Sequence, residues 1–320
     1  VYSFQVSVSS YTKGILICMK DWKENFLEYR KIVFISILLL INIFLIYQII
    51  FLTTTQKLKV SFLDIGQGDA ILIQTPSGKE MLVDGGASNI ILERLAEGMS
   101  FFDRKIDVIV ATHPDADHVT GLIPVMEKYS VEKIITSPRG GTTGIFEDLE
   151  KHIQNENADV HVAQTGDVID FNDGVVVKVL WPTKNYTEKK NDTNDASVSI
   201  VLTYGNKSFL LTGDLPSTRE PYLINALSSL WQSHESADSN ITVYKAGHHG
   251  SKTSSSEQLL TYIRPEYAII SAGKDNKYGH PNIETIERLK KYAKEIISTS
   301  DRGTISFITD GRLLELETTK

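Results

Sequence analysis

From residue 57 onward the sequence predicts an α/β (α+β) fold, with sheets in the interior and helices outside, preceded by one transmembrane helix. Three observations support this fold class. Short apolar segments alternate with amphipathic, helix-like segments along this part of the chain. Two stretches, one in each half, have the pattern of a β-hairpin around a polar turn. Residues 32–52 form an apolar run without a charge.

Size and composition limit the classes of protein to which the chain can belong. Its 320 residues suffice for one large or two ordinary domains with a substantial core. A net charge of −7 does not indicate nucleic-acid binding, nor does it exclude it, because metals and a few local cations can supply positive charge. The single cysteine, Cys18, precedes the body of the chain, which excludes a disulfide framework and a thiolate zinc site. Any metal must be bound by histidine and carboxylate.

The apolar run IVFISILLLINIFLIYQIIFL, residues 32–52, is 21 residues long and matches the thickness of a membrane hydrocarbon core. A buried core helix rarely stays apolar on every face over this length. A cleaved signal peptide has a shorter apolar stretch, followed by small residues. We therefore expect a single-pass protein of the cell membrane.

The distribution of basic residues predicts the orientation of this span. More of them precede the run than follow it: Lys20, Lys23, Arg30 and Lys31 against Lys57 and Lys59. Because positive flanks stay inside, we expect residues 1–31 to be cytoplasmic and the body, residues 57–320, to be extracytoplasmic. Met19 is a plausible natural start, so the first 18 residues need not belong to the mature protein.

The first half of the body alternates the two kinds of element. Strands are expected where apolar runs end at glycine, proline or polar turns, and helices where apolar residues recur every three or four positions. In order, these are a strand (58–66), a hairpin around the turn PSGK (69–86), a helix (89–99), a buried strand (105–112), a helix (121–130) and three shorter strands (131–137, 159–163 and 175–182). A polar loop without periodicity follows at 184–195.

The second half opens as the first does, with a hairpin around a polar turn that ends in aspartate beside glycine. This weak internal similarity suggests two related halves packed face to face. The expected elements are that hairpin (197–214), a helix (219–231), a strand (241–247), a helix (255–263), a strand (266–273), a helix (282–294) and a final hairpin (304–317).

Chemistry-bearing residues follow the ends of the apolar strands. The segment ATHPDADH contains four potential metal ligands within six positions: His113, Asp115, Asp117 and His118. One such residue is usually a hydrogen-bonded loop residue, but four after a rigid buried strand favour a metal site. Other strands end at Asp214 in LLTGD, at His248 and His249 in VYKAGHHGS, and at His280 in SAGKDNKYGHP. The remaining histidines, at positions 152, 161 and 234, lie in polar, surface-like contexts.

These motifs together resemble the metallo-β-lactamase superfamily, and more narrowly the C-terminal domain of the DNA-uptake channel protein ComEC. The matching stretches are FLDIGQGDAILIQTPSGKEMLVDGG, THPDADHVTG, NDASVSIVL, LLTGDLP, KAGHHGSKTSSS and SAGKDNKYGHPN, which occur in order between residue 57 and about residue 310. The resemblance implies a four-layer αββα sandwich with a binuclear metal site at the sheet edges.

The resemblance also implies a role for each ligand. His113 and Asp115 would hold one metal ion, the second would be held by Asp117, His118 and His248, and Asp214 would bridge the two. Asp84 matches a superfamily aspartate that supports the ligand loop. The commoner family pattern has histidine where Asp115 stands and a further histidine near Asn194 and Asp195. This first site is richer in oxygen, which moves its preference from Zn²⁺ toward Mn²⁺.

The expected chemistry is hydrolysis of a phosphodiester by two divalent cations, Zn²⁺ or Mn²⁺, about 3.5–4 Å apart. Asp117 would orient the attacking water, while His249 and His280 would stabilise or protonate the leaving oxygen or hydrogen-bond a ligand. Lys252 would contact phosphate or be a solvated lysine. It lies beside a helix start where Ser254 and Glu257 have capping-box spacing. Asp64, Gln67 and Asp69 of the DIGQGD loop are expected to give structural support.

The sequence therefore predicts a membrane-anchored binuclear phosphodiesterase or nuclease acting on DNA, with single-stranded DNA favoured, in a ComEC-like competence role. The alternative is a surface hydrolase of phosphorylated cell-wall or lipid-derived esters. β-Lactam hydrolysis fits the ligand pattern less well. A full ComEC protein has many membrane spans and this chain has one, so it would act with a separate DNA-channel subunit or as an independent surface hydrolase.

Overall fold

The computed structural model describes residues 8–54, 57–184, 186, 192–232 and 241–320. His234 and most of the polar loop between 185 and 191 lie outside the described residues. The chain divides into an N-terminal unit that ends at Thr54 and a body that begins at Thr55.

The described part of the N-terminal unit is one helix, α1 (Val8–Thr54), 47 residues long. Within it, Phe26–Ile49 has 24 residues and a mean hydropathy of 2.6, so it is long and apolar enough to cross a membrane. None of this stretch is buried. It overlaps the span expected at 32–52 and begins six residues earlier.

The body contains two sheets. The first has eight strands in the order β15-β14-β1-β2-β3-β4-β5-β6. Its strands are β1 (Leu58–Phe62), β2 (Ile71–Gln74), β3 (Glu80–Val83), β4 (Lys105–Ala111), β5 (Ser130–Thr136), β6 (Asp159–Val162), β14 (Ile305–Thr309) and β15 (Leu314–Thr318). The second has seven strands in the order β13-β12-β11-β10-β9-β8-β7. Its strands are β7 (Val168–Asp170), β8 (Val175–Trp181), β9 (Ser199–Tyr204), β10 (Lys207–Leu211), β11 (Val243–Lys245), β12 (Tyr267–Ile270) and β13 (Glu295–Ser298).

Helices cover the outer face of each sheet. They are α2 (Ile90–Gly98), α3 (Ala116–Val119), α4 (Leu122–Lys128), α5 (Gly144–Asn155), α6 (Glu220–Gln232), α7 (Glu257–Ile263), α8 (Ile283–Tyr292) and α9 (Thr299–Arg302). Side chains of both sheets meet in a central apolar layer, where Phe307 packs edge-on against Phe62 and Phe209. A second apolar cluster joins the first sheet to α2, α4 and α5, and a third joins the second sheet to α6, α7 and α8. The predicted four-layer αββα sandwich is confirmed.

Strand direction brings the metal-type residues together. In the first sheet β3, β4 and β5 are parallel, and in the second β10, β11 and β12 are parallel. Parallel strands end at the same edge of their sheet, so the loops that follow them can converge there.

Three features differ from the sequence prediction. Helix α5 was not expected, because Leu149 is its only fully buried residue and its apolar pattern is sparse. Strands β7 and β13 were also missed, since each is only three or four residues long. The final hairpin, β14–β15, pairs with β1 and so completes the first sheet, which means the two halves are not independent layers.

Candidate metal centre

The candidate centre lies where loops from both sheets meet. Asp84 follows β3 and His113 follows β4 in the first sheet, whereas Asp214 follows β10 and His249 follows β11 in the second. All four side chains are buried. The HPDADH segment turns directly into the short helix α3, in which the amide of His118 donates to the carbonyl of Asp115 at 3.0 Å. This turn directs its side chains back toward the sheet edge.

Hydrogen bonds fix the tautomers of two imidazoles. His118 Nδ1 lies 2.7 Å from Asp84 Oδ2, and His249 Nδ1 lies 2.9 Å from the carbonyl oxygen of Ser271. Because a carboxylate and a carbonyl only accept, both Nδ1 atoms carry the proton. Each ring is thereby held with Nε2 directed to the centre, an arrangement typical of metal-ligating histidine.

The third imidazole is oriented through a relay. The Thr112 hydroxyl donates to Asp84 Oδ2 at 2.6 Å. The oxygen of that hydroxyl, Thr112 Oγ1, also lies 3.0 Å from His113 Nδ1. The hydroxyl therefore accepts from Nδ1–H of His113, and Nε2 of that ring keeps its lone pair. Asp84 has φ +57°, a left-handed conformation in which its carboxylate also accepts the Thr112 amide at 2.8 Å. One carboxylate thus positions two predicted ligands.

The donor set fits a cation. Nε2 of His118 and Nε2 of His249 are 3.2 Å apart, and in neutral rings these are two opposed lone pairs. A shared proton or a metal ion removes that repulsion. Nε2 of His113 and Oδ1 of Asp214 are buried and make no hydrogen bond among the described residues. Asp214 Oδ1 lies 3.3 Å from His118 Nε2, and Oδ2 lies 3.4 Å from His249 Nε2. The residues therefore fit divalent metal.

The electrostatics favour exchange of protons for metal. Burial opposes charge on His118 and His249, but nearby carboxylates, above all Asp214, outweigh it and raise both pKa values well above the ordinary value. Burial also opposes charge on Asp214, yet the same two imidazoles lower its pKa well below the ordinary value. Burial and the neighbouring His118 lower the pKa of His113 to about 3, which keeps that ring neutral. A divalent cation thus competes with protons on two rings and finds the third already neutral.

A buried ion pair lies next to the candidate centre. Lys245 is fully buried on β11, and its ammonium contacts the carboxylate of Asp69, from the GQGD loop, and lies 3.6 Å from Asp214 Oδ1. Burial disfavours both charges, but their attraction raises the pKa of Lys245 and lowers that of Asp69 to about 2. Sequence reasoning missed Lys245, although a lysine inside the apolar strand VYKAG is a detectable signal.

Asp69 belongs to a group of four buried residues whose ligand atoms lie within 4.8 Å of one another, with His118, Asp214 and His249. It approaches the rings from the side away from the centre, since its oxygens lie 3.4 Å from Nδ1 of His249 and 4.0 Å from Nδ1 of His118. Asp69 is also neutralised by Lys245. Asp69 is therefore placed to position the rings, whereas the other three direct ligand-type atoms toward the centre.

The other predicted ligands lie on the more open side. Asp117 Oδ2 is 3.4 Å from His249 Nε2, and Asp115 Oδ2 is 3.8 Å from His113 Nε2. His248 Nε2 is 3.6 Å from Asp214 Oδ2, and its side chain is 29% exposed. The structure thus brings all six predicted ligands to one place and sets His249 deeper than its neighbour His248.

The DIGQGD loop can lie close to the backbone of Asp117 only because it has a glycine there. Gly68 has φ +116°, and a Cβ there would lie 2.0 Å from the carbonyl oxygen of Asp117. The amide of Asp69 donates to that same oxygen at 3.3 Å. The DIGQGD loop is therefore packed against the backbone of the ligand segment.

Two predicted catalytic residues, His280 and Lys252, lie farther from the buried cluster. The ring of His280 is 5.5 Å from that of His248, centroid to centroid, and is half-buried. Burial lowers the pKa of His280, and His248 and His249 add to the effect. Lys252 is exposed, and its carbonyl accepts a hydrogen bond from Arg288.

The phosphate cradle expected at the helix start beside Lys252 is not supported. Ser256, not Ser254, caps α7, and its hydroxyl accepts from the Leu259 amide at 3.2 Å. The carboxylate of Glu220 accepts from the amides of Ser255 and Ser256 at 2.6 and 2.9 Å. A buried carboxylate already occupies this position, and a helix of seven residues has little dipole to offer.

No histidine stands near Asn194, where the family pattern places one. Asp195 pairs with Arg219 at 3.1 Å, and Asn194 is buried. Thr193 donates to Asp115 Oδ1 at 2.6 Å and so steadies that carboxylate.

Comparison with known proteins agrees with the fold. The family profile described as "Metallo-beta-lactamase superfamily" matches residues 63–274. Three curated relatives align with 77–78% of the chain. They are ComE operon protein 3 of Bacillus subtilis (28% identical), Recombination protein 2 of Haemophilus influenzae (29%) and Competence protein ComA of Neisseria gonorrhoeae (29%). The chain spans about a third of their length, 33%, 28% and 32% respectively.

Proposed function

The chain belongs to the metallo-beta-lactamase superfamily, and from that premise we propose that it is a membrane-anchored, binuclear metal-dependent phosphodiesterase that acts on DNA. The observation that carries the proposal is the buried cluster in which the Nε2 atoms of His118 and His249 lie 3.3 and 3.4 Å from the carboxylate of Asp214, with the ring of His113 4.1 Å from that of His118. Relatives named for competence direct the choice of substrate toward DNA uptake.

Two divalent ions, Zn²⁺ or Mn²⁺, would be held by the predicted ligand set, with Asp214 between them. His113 and Asp115 would hold the first, Asp117 and His118 the second, and His249 competes with His248 for the remaining position. When bound, such ions act as Lewis acids on a phosphodiester and lower the pKa of water.

The residues of the chain then divide the remaining tasks. Asp117, which is partly exposed and has a pKa lowered mainly by His249 against the effect of burial, accepts a hydrogen bond from the attacking water at Oδ2 and orients it. Burial and the neighbouring His248 and His249 lower the pKa of His280, which favours its neutral form, and this ring donates a hydrogen bond to the leaving oxygen. Lys252 is exposed and offers its ammonium to a neighbouring phosphate.

The N-terminal helix supplies the membrane anchor in this proposal. An apolar surface of this length is stable in lipid and is costly in water. The body would lie outside the cytoplasm and receive single-stranded DNA. In this proposal a separate channel subunit supplies the translocation path.

The proposal is tested with the full chain in detergent, stripped of metal and resupplied with Mn²⁺ or Zn²⁺, on end-labelled single- and double-stranded DNA. We expect metal-dependent cleavage that is lost in His118→Ala and retained in His152→Ala, a matched change on the outer helix α5. The end label also separates exonuclease from endonuclease products. Turnover of bis(p-nitrophenyl) phosphate without DNA cleavage would favour the cell-wall or lipid ester alternative. Full DNA cleavage by metal-loaded His118→Ala would overturn the ligand assignment.

A further inference from the structure

We infer that the loop 273–281 beside the metal centre is a nucleobase-binding subsite, in which Tyr278 stacks on a base of single-stranded DNA. The inference rests on the proposed function and names the part of the substrate that this loop recognises. It concerns a residue that takes no part in the ligand set or in proton transfer.

A row of rings leads outward from the centre to this tyrosine. The ring of His248 reaches Asp214, that of His280 lies 5.5 Å from His248, and that of Tyr278 lies 6.0 Å from His280 with an interplanar angle of 18°. His248 and His280 are half-buried, whereas Tyr278 at the outer end of the row is 53% exposed. An exposed aromatic ring at the mouth of a site for a phosphodiester is the element that sequence-tolerant single-strand binding requires, because every base has a face on which to stack.

The loop is held in shape by one side chain. Asn276 Nδ2 donates to the carbonyls of Gly273 and His280, and its Oδ1 accepts from the amides of Tyr278 at 3.1 Å and His280 at 3.0 Å. At the other end of the loop, the amide of Gly273 donates to Gln67 Oε1 at 3.3 Å. The tyrosine is thus presented by a preorganised loop, which reduces the entropy lost when it binds a ligand.

The charge of the loop suits a nucleic-acid backbone. It carries Lys274 and Lys277 against a single carboxylate, Asp275, and all three are exposed. In a chain of net charge −7 this is a local positive excess. The ammonium of Lys277 lies 5.0 Å from the centroid of the Tyr278 ring. Its flexible stem allows the ammonium to leave the ring and reach a phosphate when a base takes its place.

The subsite is tested with metal-loaded full chain and two oligonucleotides of equal length, oligothymidylate and an abasic strand with the same phosphates. Binding is followed by fluorescence anisotropy, and cleavage by the end label. We expect Tyr278→Ala to weaken binding of oligothymidylate about 5- to 150-fold, the range found when a stacking ring is removed, with binding of the abasic strand unchanged. Tyr278→Phe, which keeps the ring, should bind as the unmodified protein does. Phe102→Ala, which removes an exposed ring from a different loop, is the matched control and should change nothing.

Equal binding of oligothymidylate by Tyr278→Ala and the unmodified protein would overturn the subsite while leaving the nuclease proposal standing. Equal losses for both strands would also overturn it, because they would mean that the loop had lost its shape or acts on phosphates alone. If the unmodified protein cleaves neither strand under any metal, the proposed function fails and the subsite fails with it.

Discussion

Asp84→Asn is the substitution that most sharply separates positioning of the ligands from ligation itself. Asp84 touches no position assigned to metal, yet its Oδ2 accepts from His118 Nδ1 at 2.7 Å and from the Thr112 hydroxyl at 2.6 Å. Asparagine has the same shape and tolerates the left-handed φ of +57°. The Thr112 amide donates to the other oxygen of Asp84, Oδ1, at 2.8 Å. Asparagine carries no charge and has an NH2 group in place of one oxygen, so at least one of these three bonds is lost.

The expected loss follows from what such outer partners contribute. Removing the partner of a metal-bound histidine typically costs 10- to 100-fold in metal affinity, which is about 1.4–2.7 kcal/mol. Because two rings depend on Asp84, directly and through Thr112, we expect a value near the upper end. The fold should tolerate the change with a loss of about 1–3 kcal/mol, the cost of a buried donor without its partner.

The assay is calorimetric titration of Mn²⁺ into metal-stripped protein, combined with urea unfolding of the same samples. Asp173→Asn serves as control, because Asp173 also accepts from an amide and a hydroxyl, those of Ser77, at an exposed turn outside the cluster. Unchanged metal affinity in Asp84→Asn, together with an unchanged unfolding free energy, would refute the argument that this carboxylate positions the imidazoles.

Two further substitutions probe buried charge. Lys245→Met should lower the free energy of unfolding of metal-stripped protein by about 3–5 kcal/mol, because it leaves Asp69 and Asp214 buried without their cation. Urea unfolding measures this, and an unchanged midpoint would contradict the role of the ion pair. Burial raises the pKa of Glu80 to about 7 from an ordinary 4.5, so its contribution to stability is complete below about pH 4.5 and is lost as the pH rises toward 7. Glu80→Gln should therefore melt at a higher temperature than the unmodified protein at pH 8, by about 2–4 °C for each kcal/mol relieved, with the difference vanishing near pH 4; a difference independent of pH would contradict this.

Much of the fold was predictable because its signals are local. Hairpins such as β2–β3 are recognised by a polar turn between apolar runs. The strands that precede His113 and Asp214, β4 and β10, end in runs of apolar residues. Helix α5 was not predictable in this way, because only Leu149 is fully buried and most of the helix faces solvent. The final hairpin joins the first sheet through pairing with β1, a contact across most of the chain that no local pattern encodes.

The candidate site was likewise predictable only where its signals are local. Clustering of HPDADH and the placement of other ligand types after strand ends predicted which residues converge. The sequence could not show how deeply each side chain is buried or in which direction it points, because both depend on tertiary packing. His248 and His249 are neighbours with equal chemistry and both have positive φ values, 47° and 53°, yet one ring is buried in the cluster and the other is 29% exposed. The pairing of Asp69 with Lys245 joins residues far apart in the chain.

The central claim is that this cluster hydrolyses DNA through bound metal. The measurement that tests it most directly is the rate of cleavage of end-labelled single-stranded DNA as Mn²⁺ is added stepwise to metal-stripped protein, with His118→Ala in parallel. The account predicts a rate that rises to a plateau at two equivalents of metal per chain and is absent in the variant. Cleavage that persists without metal, or that reaches the same plateau in His118→Ala, would contradict it.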